Sequence, residues 1–149
     1  MTNDKHGTVI EAIQRDHREV EQMLEAVESA SGSGRKRAFD QLAAKLEAHE
    51  AAEQQVVHPL TAQEGHAEEA QALRSEESAA AKALKTLKGL DVDSPEFASG
   101  FAQLKADVLA HAHEEEHDEH PRLLRETSDD ELQRRRQMFE DAERDAAKG

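Results

Sequence analysis

Four apolar-periodic stretches of this chain each drive an ionisable side chain into their own apolar stripe. On a helical wheel, the stretch that opens at Thr8 carries Ile10, Ile13, Val20 and Leu24 with His17 among them. A second carries Phe39, Leu42 and Leu46 with His49 and, one turn on, Glu53. A third sets Glu77 among Leu73, Ala80, Leu84 and Leu87. A fourth sets His111 and Glu115 on the face of Phe97, Phe101, Leu104 and Val108. A core built from these faces must neutralise what it buries, because an isolated carboxylate or imidazolium is costly away from water. Three glutamates facing one another would also repel. Two divalent cations meet both objections, supplying positive charge and satisfying the lone pairs of carboxylate and neutral imidazole.

Local punctuation sets the expected helix limits. Thr8-x-x-Glu11 is a capping-box start, and Ser31-Gly-Ser-Gly34 breaks the first helix. The second is expected over about 35–58, stopped by Pro59. Thr61-x-x-Glu64 can cap a third, ending near Gly89, and Ser94-Pro95 opens a fourth that runs to Pro121. Ser128-x-x-Glu131 starts a short fifth, about 128–147, with Leu132, Met138 and Phe139 as docking residues. Short connections imply antiparallel neighbours. The expectation is one all-α domain over 1–149: an up-down-up-down antiparallel four-helix bundle over about 8–124 with a short C-terminal fifth helix.

The chain also repeats itself. A shift of sixty-two lays helix 2 on helix 4, pairing Phe39 with Phe101, Leu42 with Leu104, His49 with His111, Glu53 with Glu115, His58 with His120 and Pro59 with Pro121. A shift of sixty lays helix 1 on helix 3, pairing Ile13 with Leu73, Asp16 with Glu76, His17 with Glu77 and Leu24 with Leu84. Two related hairpins suggest a pseudo-twofold bundle, a natural way to hold two ions.

Composition narrows the chemistry. A net charge of −14 repels phosphate backbones and anionic lipid, which argues against nucleic-acid and membrane partners. With no cysteine and no tyrosine there is no thiolate ligand, no iron–sulfur cluster and no tyrosyl radical. Met1 to Gly7 is polar and no apolar run reaches membrane length, so the expected location is cytoplasmic.

In His-x-x-x-Glu the two side chains project from adjacent turns, so the imidazole can bind one ion while the carboxylate bridges to the next. Bridging carboxylates commonly hold such ions about 3.5–4 Å apart. One buried histidine on an apolar face is ordinarily a hydrogen-bonded core residue; six positions agreeing on four helices, with two identical motifs in register, favour metal.

The pattern His17, His49-x-x-x-Glu53, a third-helix residue, then His111-x-x-x-Glu115 resembles the haemerythrin-like, or HHE cation-binding, domain family over roughly 8–124. The resemblance implies a non-haem di-iron centre, oxo- or hydroxo-bridged, in a four-helix bundle. By match to its motif, Glu53 and Glu115 would bridge the irons and His17, His49 and His111 would be terminal ligands. The family usually places a histidine in helix 3 where this chain has Glu77, or its neighbour Glu76. The residue before each helix-ending proline is commonly aromatic, and here it is His58 and His120. A third carboxylate favours ferric iron and disfavours reversible oxygen carriage.

Glu114-x-x-His117 matches the ferritin-like Glu-x-x-His pattern once, off the apolar face and without a partner. His113, His117 and His120 read as a solvated polar face, as does the run Arg134 to Arg136; Glu50 and Glu114 flank the ligand motifs and read as solvated, with orientation of a ligand imidazole as the alternative. The function expected is a di-iron protein that meets hydrogen peroxide, dioxygen or nitric oxide, with redox activity in stress defence. The alternative is a non-catalytic module that binds, senses or stores oxygen, nitric oxide or iron.

Overall fold

The prolines expected to end two helices sit inside them. The computed structural model describes residues 6–148, so most of the polar leader, Met1–Lys5, lies outside the described residues. Helix α1 spans Val9–Ser29, α2 Gly32–Ala52, α3 His58–Gln63, α4 Ala67–Lys88, α5 Pro95–Glu114, α6 His120–Glu126 and α7 Asp129–Lys148. A π-helical turn, Glu53–Val57, joins α2 to α3, and a second, Glu115–Glu119, joins α5 to α6. No strand occurs among the described residues.

The π turns explain the prolines. A proline ring clashes with the carbonyl four residues back and has no N–H to give. In each widened turn the bond spans five residues: the N–H of His58 reaches the carbonyl of Glu53, and that of His120 the carbonyl of Glu115. The helix therefore runs through Pro59 to Gln63 and through Pro121 to Glu126. The real break is at Gly65, whose φ of +93° is open to glycine, and α4 starts at Ala67 instead of being capped by Thr61. Helix α2 begins at Gly32, three residues before the expected start, where φ is +54°.

Ser94 and Ser128 cap as expected, accepting from the N–H groups of Phe97 and Glu131 at 3.1 and 3.2 Å. At α1 the reach-back comes from Glu11, which accepts from the N–H of Gly7 at 3.1 Å. The apolar stripes form two clusters. One holds Val20, Leu24, Phe39, Leu42, Leu46, Leu84, Phe97 and Leu104; the other holds Val9, Ile10, Ile13, Val56, Leu60, Leu123, Leu132 and Phe139. Along α1 the switch between them comes at His17, and from α2 into α3 at His49 and Glu53. A polar layer is thus trapped between two dry ones.

Helix α7 packs on α1 and α2. Leu132 and Phe139 are fully buried, but Met138 is 38% exposed and Ala142 takes its docking role. The arginine run is not a solvated stretch throughout: Arg135 donates to the carbonyl of Val56 at 2.6 Å and Arg136 pairs with Glu11 at 2.6 Å, while Arg134 stays exposed. No helix among the described residues is long and apolar enough to cross a membrane.

Phe139 also meets the edge of the His49 ring, 5.7 Å between centroids. Phe139→Ala should cost about 3–5 kcal/mol, read as a lower midpoint in urea denaturation. An unchanged midpoint would show that α7 is not part of the cooperative core.

Candidate metal centre

The six residues singled out by pattern come together in the polar layer. His17, His49, Glu53, Glu77 and Glu115 are buried and His111 nearly so. Glu53 and Glu115, from the mirrored helices, are both 0% exposed and belong to every inner grouping. With His17 and His49 they place ligand-type atoms within 4.8 Å of one another; with Glu77 and His111 they do so again, and with His58 and Glu119 a third time.

Each imidazole turns Nε2 inward. His17 Nε2 lies 3.1 Å from Glu115, His49 Nε2 2.8 Å from Glu53, and His111 Nε2 3.0 Å from Glu77 and 3.1 Å from Glu115. The other nitrogen donates outward. Nδ1 of His17 meets Glu116 at 2.6 Å, that of His49 meets Asp16 at 2.8 Å, and that of His111 meets Glu76 at 2.7 Å. An outer carboxylate on Nδ1 fixes the ring and leaves the Nε2 lone pair for a cation. Glu77 is 1% exposed with its carboxyl in the cluster, whereas Glu76 lies outside, 41% exposed, behind His111. Asp16 is itself held by Lys45 at 2.8 Å, and Glu143 of α7 closes over the same group.

The outer partners obey the internal repeat. Asp16 and Glu76 are related by the sixty-residue shift and serve His49 and His111, related by sixty-two. Glu116 accepts from His17; its counterpart Gln54 donates at 3.0 Å to Glu77, the counterpart of His17. Where acid replaces imidazole inside, amide replaces acid outside.

Two buried histidines escaped the wheel. His58 and His120 are 0% exposed, and Glu119 beside them is 1% exposed. At 100° per residue, positions five after Glu53 and Glu115 point away; a π turn brings them back to the same side. The paired His-Pro dipeptides were the available signal. His113 and His117 are exposed as expected, with His117 bonded to the carbonyl of His113 at 2.9 Å. Glu50 is buried, contrary to the solvated reading, and lines a cavity of about 300 Å³ that His17, His49, Glu77 and His111 also line.

Electrostatics follow from this packing. Burial would lower His17, but hydrogen bonds to Glu115 and Glu116 push it up to about 9. His58, similarly opposed by burial, is pushed up to about 11 by Glu119 and Glu77. His49 and His111 are raised well above the ordinary imidazole value. Burial disfavours charge on Glu115, yet His111 and His17 outweigh it and hold the carboxyl well below the usual range. Burial pushes Glu50 up to about 8, helped by Glu77 and Glu53. His120 is pulled down to about 3 by burial and by His17.

The donor set suits cations. Both carboxylate oxygens of Glu53, Oε2 of Glu115 and Nε2 of His49 are buried without a hydrogen bond of good geometry, although Nε2 of His49 is 2.8 Å from Glu53 and Nε2 of His111 is 3.1 Å from Glu115 Oε2. Such atoms are costly unless something positive satisfies them. Hard oxygen and borderline nitrogen donors without sulfur match iron, manganese or zinc.

Protons on the imidazoles do part of this work in metal-free protein, with a predictable sign. A histidine raised in the folded state contributes fully below its unfolded value, near 6.5, and loses that contribution as pH rises through the folded value. Metal-free protein should therefore weaken as pH rises from about 6.5 to about 9, the window set by His17. Urea midpoints at pH 7, 9 and 10 test this; a flat series would mean these ion pairs do not stabilise the fold.

Over residues 8–123 the chain matches the family model described as the hemerythrin HHE cation binding domain. No curated protein and no solved structure matches it. The matched span holds every inner histidine and carboxylate and ends before α7; the chain belongs to the hemerythrin HHE cation-binding domain family.

Proposed function

We propose that this protein holds two iron ions between His17, His49, Glu53, Glu77, His111 and Glu115, within an up-down-up-down bundle, and uses them on small oxidants in stress defence. The observation that carries the reading is that Glu53 and Glu115 belong both to the grouping with His17 and His49 and to the grouping with Glu77 and His111, Glu115 meeting His17 through Oε1 and His111 through Oε2. Shared carboxylates are what a bridged pair of ions requires. Glu77, with its carboxyl inside, is the α4 ligand in preference to Glu76.

When bound, iron supplies a redox-active Lewis acid with a coordination position open to hydrogen peroxide, dioxygen or nitric oxide. The chain's own part is to hold, orient and exclude. Asp16, Glu76 and Glu116 keep three imidazoles turned inward. Val20, Leu46 and Val108 make part of the cavity wall apolar, and its volume is ample to admit a molecule of a few atoms. Glu50 brings a buried carboxyl to that wall, its pKa raised in metal-free protein by burial and by Glu77 and Glu53. Glu77 adds a negative charge beside the centre, which favours the ferric state and so turnover over reversible carriage.

A second reading, a binding module that senses or stores oxygen, nitric oxide or iron, draws support from α7. Its Phe139 touches His49 and its Glu143 approaches Asp16, a route by which a change at the centre could move an outer helix. Peroxide turnover lost on ligand substitution distinguishes the first reading from the second.

Protein purified with iron should carry close to two irons per chain, with an absorption spectrum that changes on adding peroxide, azide or nitric oxide. Glu53→Ala and Glu115→Ala should each disrupt the pair, because each removes a bridge. A His113→Gln, His117→Gln double variant should keep its iron. Folded protein that binds no iron would sink the proposal; iron lost only in the double variant would move the site to the surface.

A further inference from the structure

His58 is surrounded in the same way as the three histidines of the centre. Its Nδ1 donates to Glu119 Oε2 at 3.1 Å, and its Nε2 lies 2.8 Å from Glu77 Oε2 and 3.9 Å from Glu115 Oε2. The side chain is fully buried. Thr61 donates its hydroxyl to the same Glu119 oxygen at 2.6 Å, which anchors the carboxylate that anchors the ring. Ligand-type atoms of Glu53, His58, Glu115 and Glu119 lie within 4.8 Å of one another. The π turn makes this possible, since it sets His58 one turn after Glu53 on the same face.

His120, its counterpart in the repeat, is a built-in contrast. Position 119 is glutamate, but its counterpart at position 57 is valine, so the repeat offers His120 no carboxylate. Instead the amide nitrogen of Gln14 donates to His120 Nδ1 at 3.1 Å. That bond uses the Nδ1 lone pair and leaves the ring proton on Nε2, the wrong tautomer for an inward ligand; Nε2 is buried without a partner, but unlike His58 it joins no grouping of ligand-type atoms with Glu53 and Glu115. The two equivalent histidines are thus set in opposite senses. The asymmetry matches one inside the centre, where α1 offers an imidazole, His17, and α4 a carboxylate, Glu77.

We infer that His58 is a fourth imidazole ligand of the centre, on the Glu77–His111 side, and that His120 is not a ligand. This rests on the di-iron reading above. One ion then has His58, Glu77 and His111 with the two shared carboxylates, the other His17 and His49 with the same two. The His17–His49 ion keeps more of its coordination positions for an incoming small molecule.

The test compares iron-loaded wild type, His58→Phe, His120→Phe and the double variant His58→Phe/Glu77→His. Iron per chain is measured by elemental analysis, the site environments by Mössbauer spectroscopy and folding by circular dichroism. Wild type should hold two irons in two unequal environments. His58→Phe should fall to about one iron per chain, and His120→Phe should keep two. The double variant, which returns an imidazole from α4, should regain the second iron. His58→Phe retaining two irons with the wild-type spectrum overturns the assignment and leaves the di-iron reading standing, whereas wild type without iron overturns both. A crystal structure of iron-loaded wild type decides the matter if His58→Phe does not fold. Iron bonded to His58 Nε2 supports the assignment; His58 still on Glu77 with iron elsewhere overturns it.

Discussion

Two carboxylates that water cannot reach, Glu53 and Glu115, are the constraint around which this molecule is arranged. Like charges at the centre of a bundle are unfavourable unless positive groups surround them. Here imidazoles do so, their inner nitrogens on carboxylates and their outer nitrogens on a further ring of acids. Asp16, Glu76 and Glu116 are therefore part of the electrostatic design even though they stand outside the inner groupings, and Glu119 plays the same part for His58 from within the buried layer. The same nitrogens that carry protons in metal-free protein are the ones a cation would take, so proton and metal compete for one set of atoms.

The near-twofold repeat shows how such a centre can be made unequal without breaking its frame. Backbone features are copied faithfully: both π turns, both His-Pro steps and both His-x-x-x-Glu pairs recur at a spacing of sixty-two. Differences are confined to single side chains whose partners change with them. Glu77 in place of an imidazole is met by Gln54 in place of an acid. Val57 in place of Glu119 is met by Gln14, which takes over the outer nitrogen of His120. Each exchange keeps donors facing acceptors, as a buried polar layer requires.

Helix α7 lies beyond the part of the chain that defines the family, yet it touches the centre's outer ring. Phe139 packs on His49, Glu143 closes over Asp16, and Arg135 holds a carbonyl of the first π turn. It protects a side of the bundle where outer-ring groups would otherwise meet water, and water would weaken every charge interaction beneath it.

Periodicity at 100° per residue is a local property that survives folding, so the helices, the apolar faces and six inward-pointing residues are readable along the chain. His17, His49, Glu53, Glu77, His111 and Glu115 were legible for that reason. Periodicity does not disclose the π turns, since their added residue is tolerated only where tertiary packing holds the widened turn in place. The differences that bear on the centre follow from that one source or from partners far apart in the chain. A uniform wheel carries no allowance for a five-residue turn, so on it Pro59 and Pro121 are stops and His120 is solvated. Glu50 and the outer ring of acids were misplaced or unseen because their partners come from other helices: Glu116 for His17, Asp16 for His49, Glu119 for His58. Which nitrogen of a histidine faces inward is decided by those distant groups, and only the folded chain brings them within hydrogen-bond reach.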